Sequence, residues 1–196
     1  MTFEEYRIKA DVVAQYPGRM SKDGIAYCLM GVGGESGELL EKVKKIYRDK
    51  NSIIDEEAKE WLIKEMGDIF WYCSQIYSET KTCFNNLYLI PGYVLTINDF
   101  QEYVKSSLSK KYNNSVLDLM ERCFLLLKDV GRLLGGYVDR DISKIDLLLK
   151  ITNILYHLAV ICIIIDTTLE NVANTNIEKL YSRKARGQLQ GSGDNR

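Results

Sequence analysis

The sequence predicts an all-α fold, and three observations carry that prediction. Prolines are confined to Pro17 and Pro91 in 196 residues, so little interrupts a helical backbone. Long segments rich in Leu, Ile, Glu and Lys repeat their apolar residues at three- and four-residue spacing, the period of one helix face. Cap and stop residues fall where those segments begin and end. With 46% hydrophobic content the chain can build a sizeable core, and residues 1–196 are read as one all-α domain.

The first helix is predicted from Thr2, an N-cap with Glu5 at the reciprocal position, to near Gln15, where Pro17-Gly18 stops it. A second covers Ile25 to Arg48, and Asn51-Ser52 forms a turn. A third begins near Asp55 and passes through Trp61, Met66 and Phe70 to about Ser78. From Glu79 to Asn98 the pattern breaks at Asn85-Asn86 and Pro91-Gly92, which reads as a linker or surface excursion. Beyond it come helices over about Asn98–Lys110, Ser115–Tyr137 and Ile142–Ile165. A last helix starts at Thr167 or Thr168 and reaches about Arg183, before the polar tail GQLQGSGDNR.

A net charge of -1 supplies no positive field to hold a nucleic-acid backbone, so a small anionic ligand gripped by a few placed cations fits better than a polymer. Cys28, Cys73, Cys83, Cys123 and Cys162 stand singly among apolar neighbours and read as reduced, packed thiols of a cytoplasmic protein. The N-terminus lacks the pattern of a secretory signal. The most apolar run, Leu158–Ile165, is shorter than the roughly 20 residues that cross a bilayer, so it is expected to be a core helix with no membrane role.

Four acids point to chemistry. Glu35 and Glu38 are three residues apart on one predicted helix, and Glu65 and Asp68 repeat the spacing on the next. Packed antiparallel, the two helices bring four carboxylates together, and such a group repels itself unless cations neutralise it. Hard oxygen donors suit Mg²⁺ or Mn²⁺. An isolated ExxE is ordinarily a solvated helix face. Here Gly31, Gly33, Gly34 and Gly37 surround the first pair at a cost of about 0.5–1 kcal/mol each inside a helix, which points to close approach of a helix or ligand. Glu65 and Asp68 adjoin the apolar Ile69, Phe70 and Trp71, which implies burial.

Lys179 and Arg183, four residues apart, share a helix face with Asn176 one turn earlier; they either clamp phosphates or decorate a helix C-terminus. Lys42 and Lys45 follow the acidic pair by one and two turns and read equally as ligand contacts or solvated charges. Trp71 and Tyr72 read as core before base-stacking groups, and His157, the only histidine, as a core residue with a satisfied ring nitrogen.

The two halves also resemble each other. Glu35-Ser36-Gly37-Glu38-Leu39-Leu40 lies on Asp129-Val130-Gly131-Arg132-Leu133-Leu134, and Asp68-Ile69-Phe70-Trp71-Tyr72 on Asn153-Ile154-Leu155-Tyr156-His157, with Glu65 opposite Lys150. The match reads either as chance similarity between amphipathic helices or as a duplication, and in a duplication the second half could not hold the same metals.

GVGGESGELLEKVKK followed by KEMGDIFWY, with Asn176-Ile177-Glu178-Lys179-Leu180 and Arg183 near the C-terminus, resembles the MazG-like all-α nucleoside triphosphate pyrophosphohydrolases. The tail RKARGQLQGSGDNR is similar to one on many bacterial and phage members, and the interval 79–145 is longer than in compact members. The resemblance implies a helical bundle with catalytic helices at about 20–78, an insertion or degenerate repeat at about 79–165, and a phosphate-binding helix and tail at about 166–196. It further implies a homo-oligomer, with a dimer favoured, in the cytoplasm of a bacterium or phage-infected cell.

In such enzymes Glu35, Glu38, Glu65 and Asp68 would bind Mg²⁺. Glu35 or Glu38 would also serve the attacking water, and Asn176, Lys179 and Arg183 would hold a (deoxy)nucleoside triphosphate cleaved to monophosphate and pyrophosphate. The alternatives are a dUTP-type or phosphoribosyl-ATP hydrolase with the same metal site, or a non-catalytic helical interaction protein.

Overall fold

The computed structural model describes residues 1–85, 87, 96–109, 111–112 and 114–188. Among them are seven helices and no strand: α1 (Phe3–Asp11), α2 (Lys22–Asp49), α3 (Glu56–Glu79), α4 (Ile97–Ser107), α5 (Val116–Val138), α6 (Lys144–Ile164) and α7 (Leu169–Ala185). Asn86, Pro91 and Gly92 of the expected linker, and the tail from residue 189 through Arg196, lie outside the described residues.

Each helix starts on a side chain that accepts an otherwise unmet backbone N–H: Thr2, Ser21, Asp55, Thr96, Ser115, Ser143 and Thr168. Such a cap contributes about 1 kcal/mol. Thr2 with Glu5 and Thr96 with Asp99 complete reciprocal capping boxes.

The ends differ locally from expectation. α1 stops at Asp11, short of Gln15, because Val12, Val13 and Ala14 donate to carbonyls three residues back and tighten the chain into turns before Pro17. α2 starts three residues earlier than expected because Ser21 caps it. Between α2 and α3, Asn51 (φ 50) and Ser52 (φ 62) reverse the chain, as the sequence anticipated.

α2 and α3 form one antiparallel hairpin, and α5 and α6 another; α2 packs on α5, and α3 on α6. α1 lies against α3 as α4 lies against α6, so the first three helices and the next three repeat one packing scheme, and α7 closes over α3. The two halves thus share a packing scheme. Phe3 of α1 joins the layers at ring-centroid distances of 5.8 Å to Phe70, 5.1 Å to Phe84 and 5.4 Å to Phe100.

Two expectations need correction. The apolar character of α6 runs over the whole of Lys144–Ile164, long enough by composition to cross a membrane, so length alone does not exclude a span. Its burial against α3, α4, α5 and α7 makes it the central core helix of this bundle. Among the cysteines, Cys28, Cys73, Cys123 and Cys162 are buried, whereas Cys83, in the non-helical segment that follows α3, is exposed.

Candidate metal centre

The α2–α3 hairpin places Glu35 and Glu38 beside Glu65, and one carboxylate oxygen from each lies within 4.8 Å of the others. Glu65 is 4% exposed, Glu35 is half-buried and Glu38 faces solvent, so the cluster runs from the helix interface to its rim. Gly31 permits the close crossing of the two helices: a Cβ there would meet the Tyr72 ring at 2.3 Å. A Cβ at Gly33 would touch Leu134 at 3.4 Å, but Gly34 and Gly37 have nothing within 4 Å, so only part of the glycine cluster serves helix packing.

The electrostatics are strained in a specific way. The Glu35 carboxyl is pushed up to about 8, chiefly by burial and then by the negative charges of Asp68, Glu38 and Glu65. Burial also raises Glu65, against the opposing pull of Lys42, whose ammonium lies 3.1 Å away. Lys42 is thereby assigned to the cluster.

Asp68 stands one helical turn beyond Glu65 and is drawn into a second arrangement. Lys179 Nζ on α7 donates to both of its oxygens at 2.6 Å, and Asn176 Nδ2 donates at 2.9 Å. Asn176 is buried, and its Oδ1 accepts from the Tyr6 hydroxyl at 2.8 Å. Gly67 makes room for it, since a Cβ there would lie 2.9 Å from Asn176 Cβ. All seven anticipated residues thus fall on the adjoining α2, α3 and α7, but in two groups: Glu35, Glu38 and Glu65 converge, while Asp68 is held by Lys179 and Asn176. Arg183, one turn past Lys179 and partly exposed, forms no ion pair among the described residues.

Tyr6 is a participant that sequence reasoning missed. A tyrosine in an amphipathic N-terminal helix carries only a core signal, and its partner is 170 residues away. Trp71 and Tyr72 pack partly buried, as anticipated, beside the stacked Tyr16–Tyr27 pair, whose centroids are 5.1 Å apart.

At the corresponding place in the second half, Asp129 pairs with Arg132 at 3.1 Å and with His157 Nε2 at 3.0 Å. Arg122 Nη1 approaches His157 Nδ1 at 3.3 Å, so Nδ1 accepts and Nε2 carries the proton given to Asp129. Burial lowers the His157 pKa and favours this neutral ring. Both ring nitrogens are satisfied, in keeping with the core role expected of it. Lys150 forms no ion pair among the described residues, and Asn153 is exposed.

The chain is similar to the Gene 37 protein of Mycobacterium phage L5, at 43% identity over 79 residues that cover 39% of this chain and 69% of that protein. No family model matches the chain, and no solved structure matches it.

Proposed function

We propose, for a chain that belongs to the family of the Gene 37 protein of Mycobacterium phage L5, that it is a divalent-metal-dependent hydrolase converting (deoxy)nucleoside triphosphates to monophosphate and pyrophosphate. One observation carries the reading: three carboxylates from two helices converge with Glu35 half-buried and raised to about 8 by burial and like charge. No described residue hydrogen-bonds the Glu35 carboxylate, and an all-oxygen donor set with excess negative charge fits Mg²⁺ or Mn²⁺. Glu35, Glu38 and Glu65 would hold the ion, which when bound would neutralise phosphate charge and acidify water.

The chain's own groups supply the rest. Glu38, on the exposed rim and open to solvent, would accept a proton from water approaching the α-phosphorus. Lys179 and Arg183 share one face of α7, so a triphosphate lying along α7 meets two cations one turn apart. Tyr6 and Asn176 act at a distance from the reacting atoms: they fix Asp68, and Asp68 fixes the Lys179 ammonium.

A second reading draws on the same geometry. Lys42 at Glu65 and Lys179 at Asp68 already offset part of the negative charge, as they would in a helical interaction protein that had dispensed with metals. Released monophosphate and pyrophosphate from a triphosphate panel with Mg²⁺, compared between the wild type and Glu38→Gln, separates the two. Hydrolysis lost in the variant supports the enzyme. Equal release from both proteins, or none from the wild type, rejects it.

A further inference from the structure

α5 buries Val116, Leu119, Cys123, Leu126, Val130 and Leu133 against α2 and α6. Its opposite face carries Leu117, Glu121, Phe124, Lys128 and Gly131, spaced four, three, four and three residues apart, and all five are exposed. That spacing is the seam by which helices pair. Leu117 is 65% and Phe124 54% exposed, so two large apolar side chains stand on this solvent face two turns apart. Gly131 has no heavy atom within 4 Å of a Cβ position, which leaves a notch in the seam. Neither Glu121 nor Lys128 forms an ion pair or hydrogen bond among the described residues.

We propose that this face pairs antiparallel with the same face of a second copy, with Phe124 at the two-fold axis, Glu121 opposite Lys128 of the second copy, and Leu117 in the notch at Gly131. The charge order selects both occupant and direction. Glu121 lies one turn before Phe124 and Lys128 one turn after it, so reversal about Phe124 brings acid to base twice. A parallel pair in the same register would set Glu121 against Glu121 and Lys128 against Lys128, which is repulsive. Leu117 and Gly131 are also seven residues before and after Phe124, so the same reversal matches a large side chain to a gap. One helix pair is a modest interface, so the dimer dissociates on dilution.

Sedimentation equilibrium of the full chain from micromolar to millimolar concentration tests this, with helical circular dichroism as the folding check. The wild type is expected to pass from monomer to dimer. Phe124→Glu should remain monomeric, and Glu121→Lys and Lys128→Glu should each weaken self-association about ten-fold or more. The double variant Glu121→Lys/Lys128→Glu, and an equimolar mixture of the two single variants, should recover association. A monomeric wild type, an undiminished Phe124→Glu dimer, or a double variant no better than the single ones overturns the proposal. The charge-reversal comparisons stand even if Phe124→Glu fails to fold, and none of the outcomes depends on hydrolysis.

Discussion

Lys179 on α7 binds both carboxylate oxygens of Asp68 on α3 at 2.6 Å, although 111 residues separate them. The pair ties the closing helix to the helix that carries Glu65, and it sets a cation beside the three converging acids.

Lys179→Ala should leave the fold nearly intact, because a partly exposed ion pair contributes about 0–1 kcal/mol. Its effect should fall on substrate: KM for a triphosphate is expected to rise about ten-fold or more with a smaller change in kcat. An unchanged KM would remove Lys179 from the binding site.

Asn176→Ala should destabilise by about 1–3 kcal/mol, since it leaves the buried Tyr6 hydroxyl without its partner and takes a donor from Asp68. Thermal denaturation of the metal-free protein measures this loss.

Glu35 makes stability depend on pH. Its folded value is about 8 against an ordinary 4.5, so between those limits the native state holds a proton that the unfolded chain has released. Stability of the metal-free protein should therefore fall as pH rises from about 4.5 to about 8, and level off beyond. In Glu35→Gln that slope should flatten. A stability curve of identical slope in the variant would refute the burial argument.

Metal binding should invert that trend. At pH 7 Glu35 is largely protonated, so Mg²⁺ should displace close to one proton, read calorimetrically as an enthalpy that varies with buffer. Mg²⁺ should also raise Tm, more at pH 8 than at pH 5. Glu38→Gln and Glu65→Gln should abolish both effects.

Gly31 and Gly34 offer a contrast within one helix. Gly31→Ala drives a Cβ to 2.3 Å from the Tyr72 ring and should cost about 1–3 kcal/mol. Gly34→Ala meets nothing within 4 Å and should stabilise α2 by about 0.5–1 kcal/mol. Paired denaturant titrations compare them.

The helices were legible because their signals are local: apolar spacing sets the buried face, and residues such as Ser115, Asp55 and Thr168 announce where a helix begins. The end of α1 was not, because tight turns over Val12–Ala14 depend on how the chain must leave the bundle before Pro17. Spacing likewise put Glu35 with Glu38, and Glu65 with Asp68, on common faces. It could not show that Gly34 and Gly37 would stay open while Gly31 receives a tyrosine ring.

The sequence by itself determined the all-α class, the helix order and the acids of α2 and α3, because backbone periodicity and capping act within a few residues. Only the tertiary structure decided that Glu35, Glu38 and Glu65 converge while Asp68 turns to Lys179 and Asn176. The choice of partner for a carboxylate is a competition among charges brought together from distant parts of the chain. Its outcome depends on the crossing of α3 with α7, on the room left at Gly67, and on a Tyr6 hydroxyl supplied by α1.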